Sequence, residues 1–307
     1  MLQELIRGFT CNHSDHAHSG ELLHELLHEV SHAFTETLKL IPLLFLAYLL
    51  MEYLEHHENG KLNRLLRNSR GAGPAVGALL GLVPQCGFSG AASSLFAGGT
   101  ITVGTLLAIF LSTSDEMLPI LISTQIQPWK ILLILGLKFI CGVVIGFLVD
   151  WVLSLRKNSR QREIHDFCQQ ENCSCEGGIW LSAVKHTLKI SLLIFVVVGV
   201  VGIAFHFIPK EALACITGIP LLGEAITALI GLIPNCASSV MITNFYVQGV
   251  IGVGPMLSGL LVNAGVGILV LFRVNHNRKE NLGIVSVLFV SGVMLGSLLG
   301  SILNGIL

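Results

Sequence analysis

Residue n and residue n + 150 of this 307-residue chain match without a gap. Between 78 and 111, thirteen of 34 positions are identical to their partners, among them Gly81, Pro84, Cys86, Ser89, Gly99 and Gly104. The register holds outside that window. "TLK" at 37–39 meets "TLK" at 187–189, and Phe139, Gly142, Val143 and Gly146 meet Phe289, Gly292, Val293 and Gly296. A repeat of this kind fixes the architecture before any single residue does, because whatever one half builds the other must build again. The halves run over about 33–155 and 183–305.

What each half builds follows from where its apolar residues lie. They form long blocks: Leu40–Leu54, Ala75–Gly98, Ile101–Ser123, Ile131–Leu153, Ile190–Ile208, Ala225–Gln248, Gly252–Phe272 and Gly283–Leu307. Several exceed the roughly 18 residues that mark a bilayer crossing. Charged residues are only 12% of the chain, about half the usual share of a soluble domain. The expected fold class is an all-α polytopic membrane protein made of two repeats. The first 20 residues lack the apolar core of a cleavable signal peptide.

The basic loops set the orientation. "KLNRLLRNSR" (61–70), "RKNSRQR" (156–162) and "RVNHNRK" (273–279) hold most of the loop Lys and Arg and belong on the cytoplasmic side. An even number of crossings must then separate 70 from 156, yet three apolar blocks lie between. Block 74–98 divides at Pro84, which removes a helix donor, into arms of about eleven residues, each about half a bilayer long. It is therefore expected to be a re-entrant helical hairpin, as is 224–248. Each half then has three crossings plus one hairpin, so the repeats are inverted and both termini are extracytoplasmic. The expected organisation is a His-rich tail with an amphipathic helix (1–36), a first membrane repeat (37–155), a cytoplasmic basic and Cys-containing linker (156–182) and a second repeat (183–307).

The hairpin tips carry "PQCG" and "PNCA". Non-helical backbone at membrane depth survives only where protein buries it or where it lines a wet cavity. The tips and their flanks offer Gln85, Cys86, Ser89, Asn235, Cys236, Ser238 and Ser239 as substrate-binding residues. "LSTSDEMLP" (111–119) adds Ser112, Thr113, Asp115 and Glu116, the two acids reading as the only ones deep in an apolar block. An acid there is expensive and points to function. Pro119 cannot donate to the carbonyl of residue 115, which frees another oxygen. The corresponding stretch "LVNAGVGIL" (261–269) has Asn263 and no acid. Oxygen ligands suit Mn²⁺, Mg²⁺ or Ca²⁺, whereas thiolates at Cys86 and Cys236 suit softer metals or trivalent arsenic.

Two peripheral clusters resemble metal ligand sets. His24, His28 and His32 recur at i, i+4 on one helix face, and His165, Cys168, Cys173 and Cys175 share a polar loop. The eight Cys are too scattered to read as a disulfide framework. No nucleotide-binding motif and no nucleophile–base arrangement stands out, so a secondary-active transporter is expected rather than an ATPase or an enzyme. No cofactor and no nucleic-acid partner are expected. The coupling ion is H⁺ or another ion, and a homodimer is an open option by analogy with hairpin-bearing transporters.

"GLVPQCGFSGAASSLFAGGTITVGTLLAIFLSTSDEMLPIL" resembles the bacterial family of ten-helix heavy-metal exporters, whose members carry the labels arsenic efflux protein and manganese transporter. The resemblance covers about 35–305 and is most specific at 84–87, 112–119 and 234–239. It implies export of an inorganic cation or metalloid across the inner membrane. Counting each hairpin arm as a helix gives ten. The acids and the His-rich tail favour a divalent cation such as Mn²⁺. An arsenite or organoarsenical permease using the paired Cys, and a proton-coupled carrier of a small organic solute, are the alternatives.

Overall fold

The structure, a computed structural model, describes residues 71–83, 87–114, 117–155, 178–206 and 221–303, with scattered helical positions between 31 and 49. The described residues are helical throughout, with no strand among them. The first half contributes α1 (Gly73–Gly81), α2 (Gly87–Ala97), α3 (Val103–Ser112), α4 (Met117–Ser123) and α5 (Pro128–Leu155). After α6 (Gly178–His206) come α7 (Leu222–Gly231), α8 (Cys236–Val247), α9 (Val253–Val262), α10 (Gly267–Val274) and α11 (Arg278–Leu303). Helix α6 begins inside the stretch read as linker. Every element from α1 to α5 has a counterpart 150 residues on, displaced by two residues at most at either end.

The contacts repeat as faithfully as the elements. Helix α1 packs on α3, and α3 on α5; α7 packs on α9, and α9 on α11. Both long contacts close on small residues. A Cβ on Gly146 would lie 2.7 Å from the carbonyl oxygen of Gly104, and one on Gly296 would lie 2.7 Å from Cα of Ser258. Backbones this close need residues without side chains, as in small-xxx-small contacts between membrane helices. That is why Gly142/Gly146 and Gly292/Gly296 stand at matched positions. Gly99 and Gly249, each at φ +72°, end α2 and α8 in the same left-handed turn.

Among the described residues, four segments are long and apolar enough to cross a membrane: Val103–Ser123, Pro128–Leu155, Val253–Val274 and Arg278–Leu303. They divide into two kinds. Helices α5 and α11 are unbroken and turn Leu132, Ile140, Trp151, Leu282, Met294 and Ile302 outward. The other two are largely buried and interrupted at the same place, between α3 and α4 and between α9 and α10.

Their inner ends meet across the halves. Leu106, Phe110 and Leu111 of α3 share one apolar cluster with Leu261, Val262, Ile268 and Leu271. Helix α2 docks on α10, and α8 docks on α4, so each half's short helix seats on the other half's broken segment.

Candidate substrate site

The two breaks are built differently. In the first, α3 ends at Ser112 and Thr113 turns extended, at φ −53° and ψ 125°. Described helix resumes at Met117, two residues before Pro119. In the second, the Asn263 side chain accepts from the N–H of Gly265 at 3.0 Å, and Gly265 takes φ +52°. An Asx turn and a left-handed glycine thus interrupt a segment that contains no proline between Asn263 and Val274. Gly265 stands at the position of Asp115 in the repeat.

The polar residues named from sequence are deeply buried where they are described. Ser89, Ser112, Thr113, Asn235, Ser238, Ser239 and Asn263 are none of them more than 3% exposed. Most of their hydroxyls donate to nearby backbone. Ser112 Oγ donates to the carbonyl of Ala108 at 2.8 Å, and Thr113 Oγ1 to that of Ile109 at 2.7 Å. Ser238 Oγ donates to the carbonyl of Asn235 at 2.7 Å, and Ser239 Oγ to that of Cys236 at 2.8 Å. A hydroxyl that donates this way still presents lone pairs, so it remains able to ligate a cation. The Asn235 side chain caps α8, accepting from the N–H of Ala237 at 3.1 Å.

The docking of α2 on α10 brings residues of both halves together. Ser93 Oγ donates to the carbonyl of Gly267 at 2.7 Å, and Gly267 has no room for a Cβ against Ser89. On the opposite pair the same positions carry Thr243 and Met117. Thr243 Oγ1 is fully buried and has no hydrogen-bond partner among the described residues. The break beside Met117 is the one that contains the two acids.

Gln85, Cys86, Asp115 and Glu116 lie outside the described residues, as do His24, His28, His32, His165, Cys168, Cys173 and Cys175. Among the described residues, no three His, Cys, Asp or Glu come together as a metal site. Cys236 is buried and is disulfide-bonded. The scatter of the cysteines gave no sign of that bond, because pairing is a matter of space rather than spacing.

Three charged groups escaped the sequence reading. Lys138 is 1% exposed inside α5, and its Nζ donates at 2.6 Å to the carbonyl of Leu260, in the last turn of α9. Those last-turn carbonyls lack intrahelical partners and carry the negative end of the helix dipole, so an ammonium suits them. The signal was a lone Lys within "ILLILGLKFICG". Asp150 and Glu224 are the others. Asp150 is half-buried near the end of α5, and Glu224, in the first turn of α7, is 8% exposed.

Buried polar breaks inside an apolar shell, with four crossing-length segments among the described residues, mark a polytopic membrane protein. The model of the family described as "Putative, 10TM heavy-metal exporter" matches residues 21–222, well over half of the chain, and the protein belongs to that family. No curated protein and no solved structure matches the chain.

Proposed function

We propose that the protein is a secondary-active exporter of a divalent transition-metal cation of the Mn²⁺ kind. One observation carries the reading: polar side chains at two matched helix breaks are buried at depth in a molecule whose outer faces are apolar. Such groups are costly in a membrane and mark substrate paths. Asp115 and Glu116 supply the charge. Gln85, Ser89, Ser112, Thr113, Asn235, Ser238, Ser239 and Asn263 supply neutral oxygens, a set suited to a hard or borderline cation. The proposed site lies near the midplane of two inverted repeats, with the residues around Pro84 and Pro234 as the tips of re-entrant hairpins. The basic loops support a bacterial inner-membrane orientation with both termini outside. No nucleotide motif is seen in the sequence, so the driving force is an ion gradient.

The test is Mn²⁺ flux in proteoliposomes. Asp115→Asn combined with Glu116→Gln is expected to abolish it, and Cys86→Ser combined with Cys236→Ser only to weaken it. Wild-type flux in the acid variant contradicts the site.

A second reading has its own observation. A disulfide at Cys236 requires another cysteine within bonding reach, and once reduced such a pair fits trivalent arsenic. Cys86, the repeat counterpart of Cys236, is the proposed partner. On this reading the double Cys variant loses arsenical flux and the acid variant keeps it.

A further inference from the structure

Both broken segments begin with a helix N-terminus, and both N-termini have a carboxylate beside them. At α3 it is Asp150, from the far end of α5. Its Oδ1 accepts from the N–H of Gly104 at 2.8 Å, and its Oδ2 from the Thr102 hydroxyl at 2.6 Å. At α9 the positions of Asp150 and Thr102 are taken by Gly300 and Gly252, and neither can do this. The carboxylate comes instead from α7. Glu224, which replaces Pro74 of the first half, places Oε1 2.6 Å from where a Cβ on Gly254 would stand.

The two carboxylates lie beside matching helix N-termini but are not equally satisfied. Asp150 is held by two donors. Glu224 is 8% exposed, and its Oε2 is buried with no hydrogen-bond partner among the described residues. The hydroxyls beside it do not turn to its side chain. Ser258 Oγ donates to the main-chain carbonyl of Glu224 at 2.9 Å, and Thr227 Oγ1 to those of Gly223 and Glu224. A buried acceptor left bare is costly, and its persistence calls for a reason.

We propose that Glu224 is the proton-carrying site that couples metal export to an inward proton gradient. This rests on the transporter reading and its topology, which put the loop before α7 on the extracytoplasmic side. The ligand is a proton rather than a metal. A hard cation requires several oxygens, whereas here one carboxylate faces the N-terminal end of α9, where backbone donors gather. A carboxylate with no donor fixed on it takes up one proton as Glu–COOH, and releases it, without breaking a hydrogen bond. Asp150 would have to weaken the bond on whichever oxygen took the proton. Among the described residues, the other titratable groups on elements packed against α7 are Cys236, which is disulfide-bonded, and Tyr246 on α8, with Arg278, Lys279 and Glu280 at the opposite end of α11 from Gly296 and Gly300; α9 carries none.

The experiment uses the full chain in proteoliposomes with Mn²⁺ as probe and reads three quantities. These are flux driven by a pH gradient, Mn²⁺/Mn²⁺ counterflow without a gradient, and the protonated-carboxyl infrared band across a pH titration. In Glu224→Gln, gradient-driven flux is expected to fall about tenfold while counterflow stays within about twofold of wild type. The infrared band is expected to disappear. Glu224→Asp, which keeps a carboxyl, is expected to restore the band and part of the coupling, and it serves if the Gln variant does not fold. Asp150→Asn is expected to leave the band in place. A band that survives Glu224→Gln, or gradient-driven flux unchanged in that variant, overturns the proposal. If the wild type moves no Mn²⁺ but Glu224 still accounts for the band, the proton site stands and the Mn²⁺ reading falls.

Discussion

The N-termini of α3 and α9 share a backbone and differ in chemistry. Thr102 caps α3, its side chain accepting from the N–H of Thr105 at 3.1 Å, and Asp150 braces the same turn. Helix α9 has Gly252 at its cap with no side-chain bond, and Glu224 lies alongside with one oxygen unmet. Docking of the short helices repeats the contrast, with Ser93 bonded across to Gly267 and the Thr243 hydroxyl without a partner among the described residues. The repeat preserves helix positions and glycine contacts because close packing demands them. It leaves polar partners free to diverge, and the two halves come to hold braced and unbraced versions of the same place.

Breaking the braced end is expected to cost most. Asp150→Ala removes two charge-assisted hydrogen bonds and a favourable charge at a helix N-terminus, and should destabilise the protein by about 2–3 kcal/mol. Thermal unfolding in detergent would reveal it. Comparable stability in Asp150→Ala and wild type would mean that the brace is idle. Next comes the docking pair. Ser93→Ala should cost about 1 kcal/mol, whereas Thr243→Val should be neutral or slightly stabilising, since no bond is lost and a bare hydroxyl is removed. Equal losses at the two positions would erase the distinction between the docked helices. The smallest change repairs the unbraced end. Gly252 is extended and has open space around it. Gly252→Thr should therefore supply the missing cap and raise stability by a few tenths of a kcal/mol, about 0.3. A loss there would show that α9 needs its end uncapped.

Much of this was legible in the sequence, for reasons that can be traced. Ungapped identity gave the period, and the structure repeats at that same offset because the Gly146 and Gly296 contacts tolerate no drift. The first break was visible through "STSDEMLP", where α3 ends at Ser112. The second was hidden, because "VNAGVGIL" reads as apolar and only Asn263 and Gly265 together make the turn. Burial of the site hydroxyls followed from their place in apolar blocks. Lys138 and Glu224 were missed because a single charge within or at the edge of a block looks like an anchor until its neighbours are known. The Cys236 disulfide needed three dimensions.

The central claim is a cation site formed by the acidic break, and the direct measurement is metal-dependent thermal stability of the purified protein. Mn²⁺, Zn²⁺, Mg²⁺ and trivalent arsenicals would be titrated against wild type, a variant lacking residues 1–30, and Asp115→Asn/Glu116→Gln. A ligand that binds only the folded state raises stability by mass action, about 2.7 kcal/mol at a hundredfold excess over Kd. The account predicts stabilisation by Mn²⁺ or Zn²⁺ in wild type and in the tail-deleted protein, and its loss in the acid variant. Stabilisation that needs the tail, or that survives removal of both acids, would contradict it.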